Sequence, residues 1–368
     1  MPDSSAIAIP WWRVKMGKLA QRHVMEAMAG EYFSNGPIAT RFENRFSNLL
    51  NVPHAKSTTS GSVALLLAMM ASNVRRGDEI ILPNRGWIAA AHAAHLLGAR
   101  IVVVDVLPDR PVMDVSLVEE KLTKRTKAVV PIHLNGRAVD MFSLNELAKQ
   151  YKVSIIEDAA QALCSGNHSG FLGTQSRFGC FSFSMPKLLQ SGQGGIVVSH
   201  NKADHQKLDL LSNHGVKDTF TDQWKQPGFN FKYPDLLAAL ALSQLRRLPG
   251  RLARMRKIYD RYLNGIVNQE LDFLELIPVN TDSGEIPLYV ECLTQHRSKL
   301  TLFLANKGIQ IRPSYPNVSG TPYLDATGDY PNSLVFEEQG ITLPCGPDQS
   351  LRNVDTVLTA LTDFGKTL

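Results

Sequence analysis

Two stretches carry residues whose types and spacing could do chemistry. In VSIIEDAAQA, Glu157 and Asp158 close an apolar, β-rich run; in GCFSFSMPKLLQSGQGG, a second apolar run delivers Ser182 and Lys187 into a glycine-rich loop. A carboxylate at one strand end and a lysine just past another are what pyridoxal phosphate (PLP) chemistry needs. The lysine amine condenses with the cofactor aldehyde, and the carboxylate keeps the pyridine nitrogen protonated so that the ring can accept electrons. Singly, neither residue says much. A strand-end Asp is more often a helix cap or an ion-pair partner, and an isolated Lys is nearly always a solvated surface charge.

These residues need elements to place them. After Gly36–Pro37 a helix is expected, because Phe42, Phe46, Leu49 and Leu50 fall at i, i+4, i+7 and i+8 and make one apolar stripe. A short strand at 56–59 then meets Ser60-Gly61-Ser62 and the apolar VALLLAMMA. Strand, small hydroxylated loop and helix is a geometry that binds phosphate, since the first helical N–H groups lack internal partners and the helix dipole adds positive charge. Ser60 as a plain N-cap is the ordinary alternative. Strands and helices then alternate: EIILP, WIAAAHAAHLLG, RIVVVDV, a helix from Ser116, AVVPI, a helix from Ser143, VSIIE. Ser116-x-x-Glu119 and Ser143-x-x-Glu146 read as capping boxes. Near-continuous apolar strands between helices predict an α/β fold with a mostly parallel sheet and helices on both faces. Ligands of such sheets sit at the carboxyl ends of strands, where Ser60–Ser62, Trp87, Asp158 and Ser182–Lys187 all fall. Trp87 follows the turn Asn84-Arg85-Gly86, and its ring could stack on a flat ligand or pack in the core. Gln161 would share a face with Asp158 if a helix starts there.

The remaining features bound the function. A chain of 368 residues predicts a large domain over 1–248 and a smaller C-terminal α+β domain over 249–368, with a long helix from Pro234 to about Asn264 bridging them. A helical pattern also covers residues 13–34, and residues 217–227 read as an exposed loop. The net charge of +5 is too small and dispersed for nucleic-acid binding. The start reads as no secretory signal, and no apolar stretch is long enough to span a membrane. Cys164, Cys180, Cys292 and Cys345 lack CxxC spacing, which fits reduced thiols in a cytoplasmic enzyme better than disulfides or a metal site.

Taken jointly, EDAAQA, GCFSFSMPK and GQGG resemble the DegT/DnrJ/EryC1/StrS family of sugar aminotransferases, a branch of the fold type I PLP enzymes. SNGPIATRFENRF, TTSGSVALLLA, GDEIILPNRGWIAAAHA, AVVPIHLNGRAVDM, GFNFKYPDLLAALALSQL and LPCGPDQS follow that family in order across nearly the whole chain. The resemblance implies that Lys187 holds PLP and shuttles a proton, with pyridoxamine phosphate as the alternate cofactor form. It implies a phosphate cradle at the Ser60-Gly61-Ser62 triplet, Ser182 among the cofactor-binding residues, Asp158 on the pyridine nitrogen, Trp87 on the ring and Gln161 near the cofactor oxygen or the sugar. Asn230, in GFNFK, would reach the phosphate of the neighbouring subunit in a homodimer; Lys232 stands where many members carry Arg. His133, Arg312 and Tyr315 match positions near the substrate. Glutamate would donate the amine and a keto-sugar, carried on a nucleotide, would receive it. A dehydratase of the same family would replace the lysine with histidine, and a non-catalytic regulator would be marked by loss of Asp158 or Lys187; both residues are present. Neither Arg177 nor Arg312 sits in a motif that demands a carboxylate clamp.

Overall fold

Short apolar runs separated by polar turns build the central sheet. The computed structural model describes residues 7–30, 33–34, 36–224, 226–326 and 328–368. Its first five strands are β1 (His54–Thr58), β2 (Glu79–Pro83), β3 (Arg100–Val104), β4 (Thr126–Val129) and β5 (Ser154–Asp158). A small hairpin of β6 (Gly166–Asn167) and β7 (Gly170–Phe171) precedes β8 (Phe178–Ser182) and β9 (Gly195–Ser199). Seven of them form one sheet in the order β1-β9-β8-β5-β4-β2-β3. The pairs from β8 to β3 are parallel, while β9 is antiparallel to both β1 and β8. Every strand but β9 therefore points its carboxyl end to the same edge.

Helices cover both faces, as the apolar strands require. They are α1 (Lys18–Met28), α2 (Pro37–Leu50), α3 (Gly61–Ala71), α4 (Ala89–Leu96), α5 (Met141–Tyr151), α6 (Lys202–Ser212) and α7 (Asp235–Leu245). Side chains alternate across β8: Phe178 and Cys180 join the core that holds α3 and α4, and Phe181 joins the core that holds α2 and α7. The predicted stripe of α2 is real. Phe42, Phe46 and Leu50 are buried, with Phe42 edge-on to Phe183 and Phe46 edge-on to Phe181. Buried Asp235 fixes the start of α2 by accepting from the backbone N–H groups of Gly36, Ile38 and Ala39 at 2.8–3.2 Å.

Several expected elements are drawn differently. The helix expected over 13–34 is shorter, at Lys18–Met28, and Glu31 and Tyr32 lie outside the described residues. In place of a helix from Ser116 there are two short 3-10 turns, opened by Asp114, whose carboxylate takes the Ser116 N–H. The helix expected from Ser143 begins at Met141, capped by Asp140. An aspartate a little earlier in the chain takes the cap in place of serine in both cases. No helix follows Asp158; tight turns close there instead, with Ala162 N–H on Ala159 O and Ser165 N–H on Ala162 O. The single long helix from Pro234 is two helices. α7 ends at Leu245, and α8 (Leu248–Asn268) restarts with Pro249, whose missing N–H cannot continue the helix before it.

Beyond α8 come β10 (Glu275–Leu276), β11 (Val290–Leu293), α9 (Arg297–Asn306), β12 (Arg312–Pro313), α10 (Pro331–Gln339), β13 (Gly340–Leu343) and α11 (Leu351–Gly365). The strands pair antiparallel in the order β10-β11-β13-β12, giving a smaller α+β unit packed by α8 and α11. Its loop after β12 returns to the large sheet, where Asp105 receives the N–H groups of Asn332 and Ser333 at the start of α10. Among the described residues no helix is long and apolar enough to cross a membrane.

Candidate active site

Parallel strand direction gathers the site at one sheet edge. β5 ends in Asp158, β8 ends in Ser182, and β1 runs into Ser60 at the start of α3. Backbone closeness here depends on glycine. A Cβ on Gly61 would stand 2.7 Å from Ser182 Cβ, and one on Gly195 would stand 2.3 Å from the Ser60 carbonyl oxygen. Only hydrogen at these positions lets β9 and β8 press against the loop. Ser60 is a true N-cap, accepting from Val63 N–H at 3.2 Å. Among the described residues the N–H groups of Gly61 and Ser62 have no hydrogen-bond acceptor, so two donors stand at a positive helix end.

Asp158 is 4% exposed. Burial pushes its carboxyl up, countered by the Ala160 N–H at 3.0 Å and by the Lys187 charge. Its neighbour Glu157 points to the opposite face, fully buried, and accepts from Gly173 N–H, Gln175 N–H and Ser176 Oγ at 2.7–2.8 Å. Glu157 also holds His133, whose Nε2 lies 3.0 Å from its carboxylate while Nδ1 takes the Val139 N–H at 3.3 Å. Both ring nitrogens of His133 are engaged and the ring is wholly buried. It is a strut beneath the site and has no nitrogen to offer a substrate.

Lys187 lies in the loop between β8 and β9, half-buried, at a small cavity shared with Ser182, Gln161, Ala160 and Leu288. Burial pushes its amine down to about 8, against the opposing pull of Asp158. A lysine so depressed is partly neutral near pH 8, as a nucleophile or proton carrier must be. Two residues that sequence reasoning passed over bracket it. Tyr289 donates its hydroxyl to Pro186 O at 3.1 Å, and buried Arg251 of α8 donates to Leu188 O at 2.6 Å. Nothing in the local sequence of either residue marks it.

Gln161 is nearly buried and accepts from Asn135 N–H at 3.0 Å; Asn135 in turn donates to Tyr289 O and Glu291, tying the turn to β11. Trp87 stands 58% exposed, edge-on to Tyr315 with ring centres 5.8 Å apart. Its ring is not spent in the core and can take a flat partner. The Tyr315 hydroxyl is buried, faces the Gln161 amide, and makes no hydrogen bond of good geometry. Arg312 is not brought in: it is exposed and stacks 5.2 Å over Trp11. Arg177 is held on Asp204 through Nε at 2.9 Å and a terminal nitrogen at 2.7 Å, so it is no clamp. Asn230 is exposed, with its side-chain oxygen on Lys232 N–H, and among the described residues it has no hydrogen bond to those above.

These residues fit PLP by geometry: free helix N–H donors, a cradle that any Cβ would fill, a buried carboxylate, a depressed lysine and an uncommitted indole. Known proteins agree. The model of the DegT/DnrJ/EryC1/StrS aminotransferase family matches residues 14–362. The chain belongs to that family. It is 30% identical over 365 residues to a GDP-perosamine synthase of Escherichia coli O157:H7, covering 97% of this chain and 98% of that one. Two solved structures superpose almost completely. S. venezuelae DesV has 28% identity and a TM-score of 0.91 over 97% of this chain and 98% of its own. The aminotransferase TlmJ from Streptoalloteichus hindustanus has 26% identity and a TM-score of 0.92 over 98% and 99%. The fold and the aminotransferase class expected from the motifs therefore hold, and a family dehydratase, which would lack the lysine, is disfavoured by Lys187.

Proposed function

We propose that this chain is a cytoplasmic, homodimeric aminotransferase that uses PLP to move the amino group of glutamate onto a nucleotide-linked keto-sugar. The observation that carries the reading is Lys187 with a depressed amine beside buried Asp158, at the mouth of a glycine-lined cradle. The near full-length match to a GDP-perosamine synthase supports an amino-sugar product. Bound there, PLP supplies the electron sink that makes the α-proton of the amino acid removable. The chain's own residues do the rest. Gly61, Ser62 and Ser182 receive the phosphate, Asp158 holds a proton on the pyridine nitrogen, and Trp87 covers the ring. Lys187 Nζ takes up and returns the migrating proton. Gln161 and Tyr315 stand where the incoming sugar is oriented. Asn230 belongs to the neighbouring subunit's phosphate site; its exposure leaves it free for that. The units 1–248 and 249–368 meet across the site, since Tyr289, Arg251 and Tyr315 come from the second.

With Arg177 and Arg312 committed elsewhere, neither serves as a carboxylate clamp. Binding energy from the remote part of a nucleotide-sugar can orient the reacting carbon without one. A single-turnover assay on the pyridoxamine form tests the reading. Members of a panel of GDP- and dTDP-linked keto-hexoses should return the enzyme rapidly to the PLP spectrum, while pyruvate and oxaloacetate do so slowly. Rapid recovery with simple oxo acids and none across the panel would establish a general amino-acid aminotransferase instead.

A further inference from the structure

The turn between β2 and Trp87 holds a charge that the mechanism above leaves unused. Arg85 is only 3% exposed, and among the described residues no carboxylate pairs with it. Its terminal nitrogen donates to Tyr315 O at 2.7 Å and Asn317 Oδ1 at 2.9 Å, and its guanidinium carbon lies 4.9 Å over the Tyr315 ring. Asn84 adds two more ties: its carbonyl accepts from Val318 N–H at 3.0 Å and its side chain from Ser319 N–H at 2.9 Å. Gly86 lets the turn close against the sheet, because a Cβ there would stand 2.3 Å from Ile132 Cδ1. Asn84 and Arg85 thus dock the segment 315–319, which arrives from the second unit more than 220 positions later.

A buried guanidinium answered by neutral acceptors and a ring face is costly to keep unless the geometry it fixes is used. What it fixes is Tyr315, whose ring meets Trp87 and whose hydroxyl is left without a good partner. We propose that Arg85, with Asn84, is a positioning residue: it latches Tyr315 against Trp87 and so sets acceptance of the keto-sugar. This rests on the function proposed above. On that function the sugar is oriented at Tyr315, whereas glutamate is small enough to react close to Lys187. The latch therefore weighs on the sugar half of the reaction. One arginine nitrogen bonds both acceptors while the planar guanidinium stacks on the ring, and lysine has no plane to stack.

The test compares the PLP-loaded parent with Arg85→Met and Arg85→Lys. Hydrogen–deuterium exchange should rise in peptides spanning 314–320 in both variants, with the strands of the large sheet unchanged. For whichever panel keto-hexose the parent accepts, kcat/KM should fall by about a hundredfold, the loss expected when a positioning contact shifts by an ångström. The glutamate half-reaction should stay within about threefold of the parent, on the same proximity argument. Unchanged exchange at 314–320, or equal losses in both half-reactions, would overturn the latch. A parent inert to the whole panel is seen before any variant is made and overturns the functional reading; the exchange measurement then decides whether Arg85 holds the segment.

Discussion

At Lys187 two influences compete, and their balance suits this lysine to the proposed reaction. Burial favours the neutral amine and Asp158 favours the charged one; burial prevails and leaves the group at about 8. The apo-enzyme must present a neutral amine to capture PLP, so its capture rate should climb with pH through about 8, well below the ordinary lysine range. Asp158→Asn removes the one charge that raises this amine, so the midpoint should move to lower pH. The same variant should retain cofactor yet lose most of its turnover, since an amide cannot hold the pyridine nitrogen protonated. Stopped-flow capture across pH reads the first effect and steady-state turnover the second. An unmoved midpoint or a parental turnover rate would remove Asp158 from its assigned place.

At the level of elements, the cradle is a matter of how close backbones come. Gly195→Ala would drive a Cβ into the Ser60 carbonyl, now 2.3 Å from where that carbon would stand. The loop must yield, at a cost in stability of about 1–3 kcal/mol, and PLP affinity should drop at least about tenfold. Titration of apo-enzyme with PLP checks the affinity and urea unfolding the stability. Glycine clusters and a strand–SGS–helix junction made this element legible from residue types alone. Other elements were not legible, for identifiable reasons. Asp114 and Asp140 out-compete Ser116 and Ser143 as caps, a contest between neighbouring acceptors that a capping-box pattern does not decide. Gln161 lies on a turn, because local spacing does not say whether the chain after Asp158 coils or doubles back. Arg85, Arg251 and Tyr289 act on partners 230, 63 and 103 positions away, and no local pattern encodes such contacts.

For the whole molecule, one antiparallel strand in an otherwise parallel sheet puts the carboxyl ends of β1, β5 and β8 on one edge, and Arg251, Tyr289 and Tyr315 reach it from later in the chain. The motif order anticipated this architecture because alternating apolar strands and helices leave few other arrangements. It did not anticipate that Arg312, which lies beside Tyr315 in sequence, would stack on Trp11 instead. Assembly extends the same logic. Asn230 is exposed, so mixing inactive Lys187→Ala with inactive Asn230→Ala chains should restore activity through hybrid dimers with one intact site. Activity that stays absent after proven subunit exchange would assign Asn230 a role within its own chain. The lysine that holds the cofactor is the centre of the proposed chemistry. Borohydride reduction of the PLP-loaded enzyme, followed by peptide mapping, should place the cofactor on Lys187 and on no other lysine. A reduced label on any other residue, with Lys187 unmodified, would contradict it.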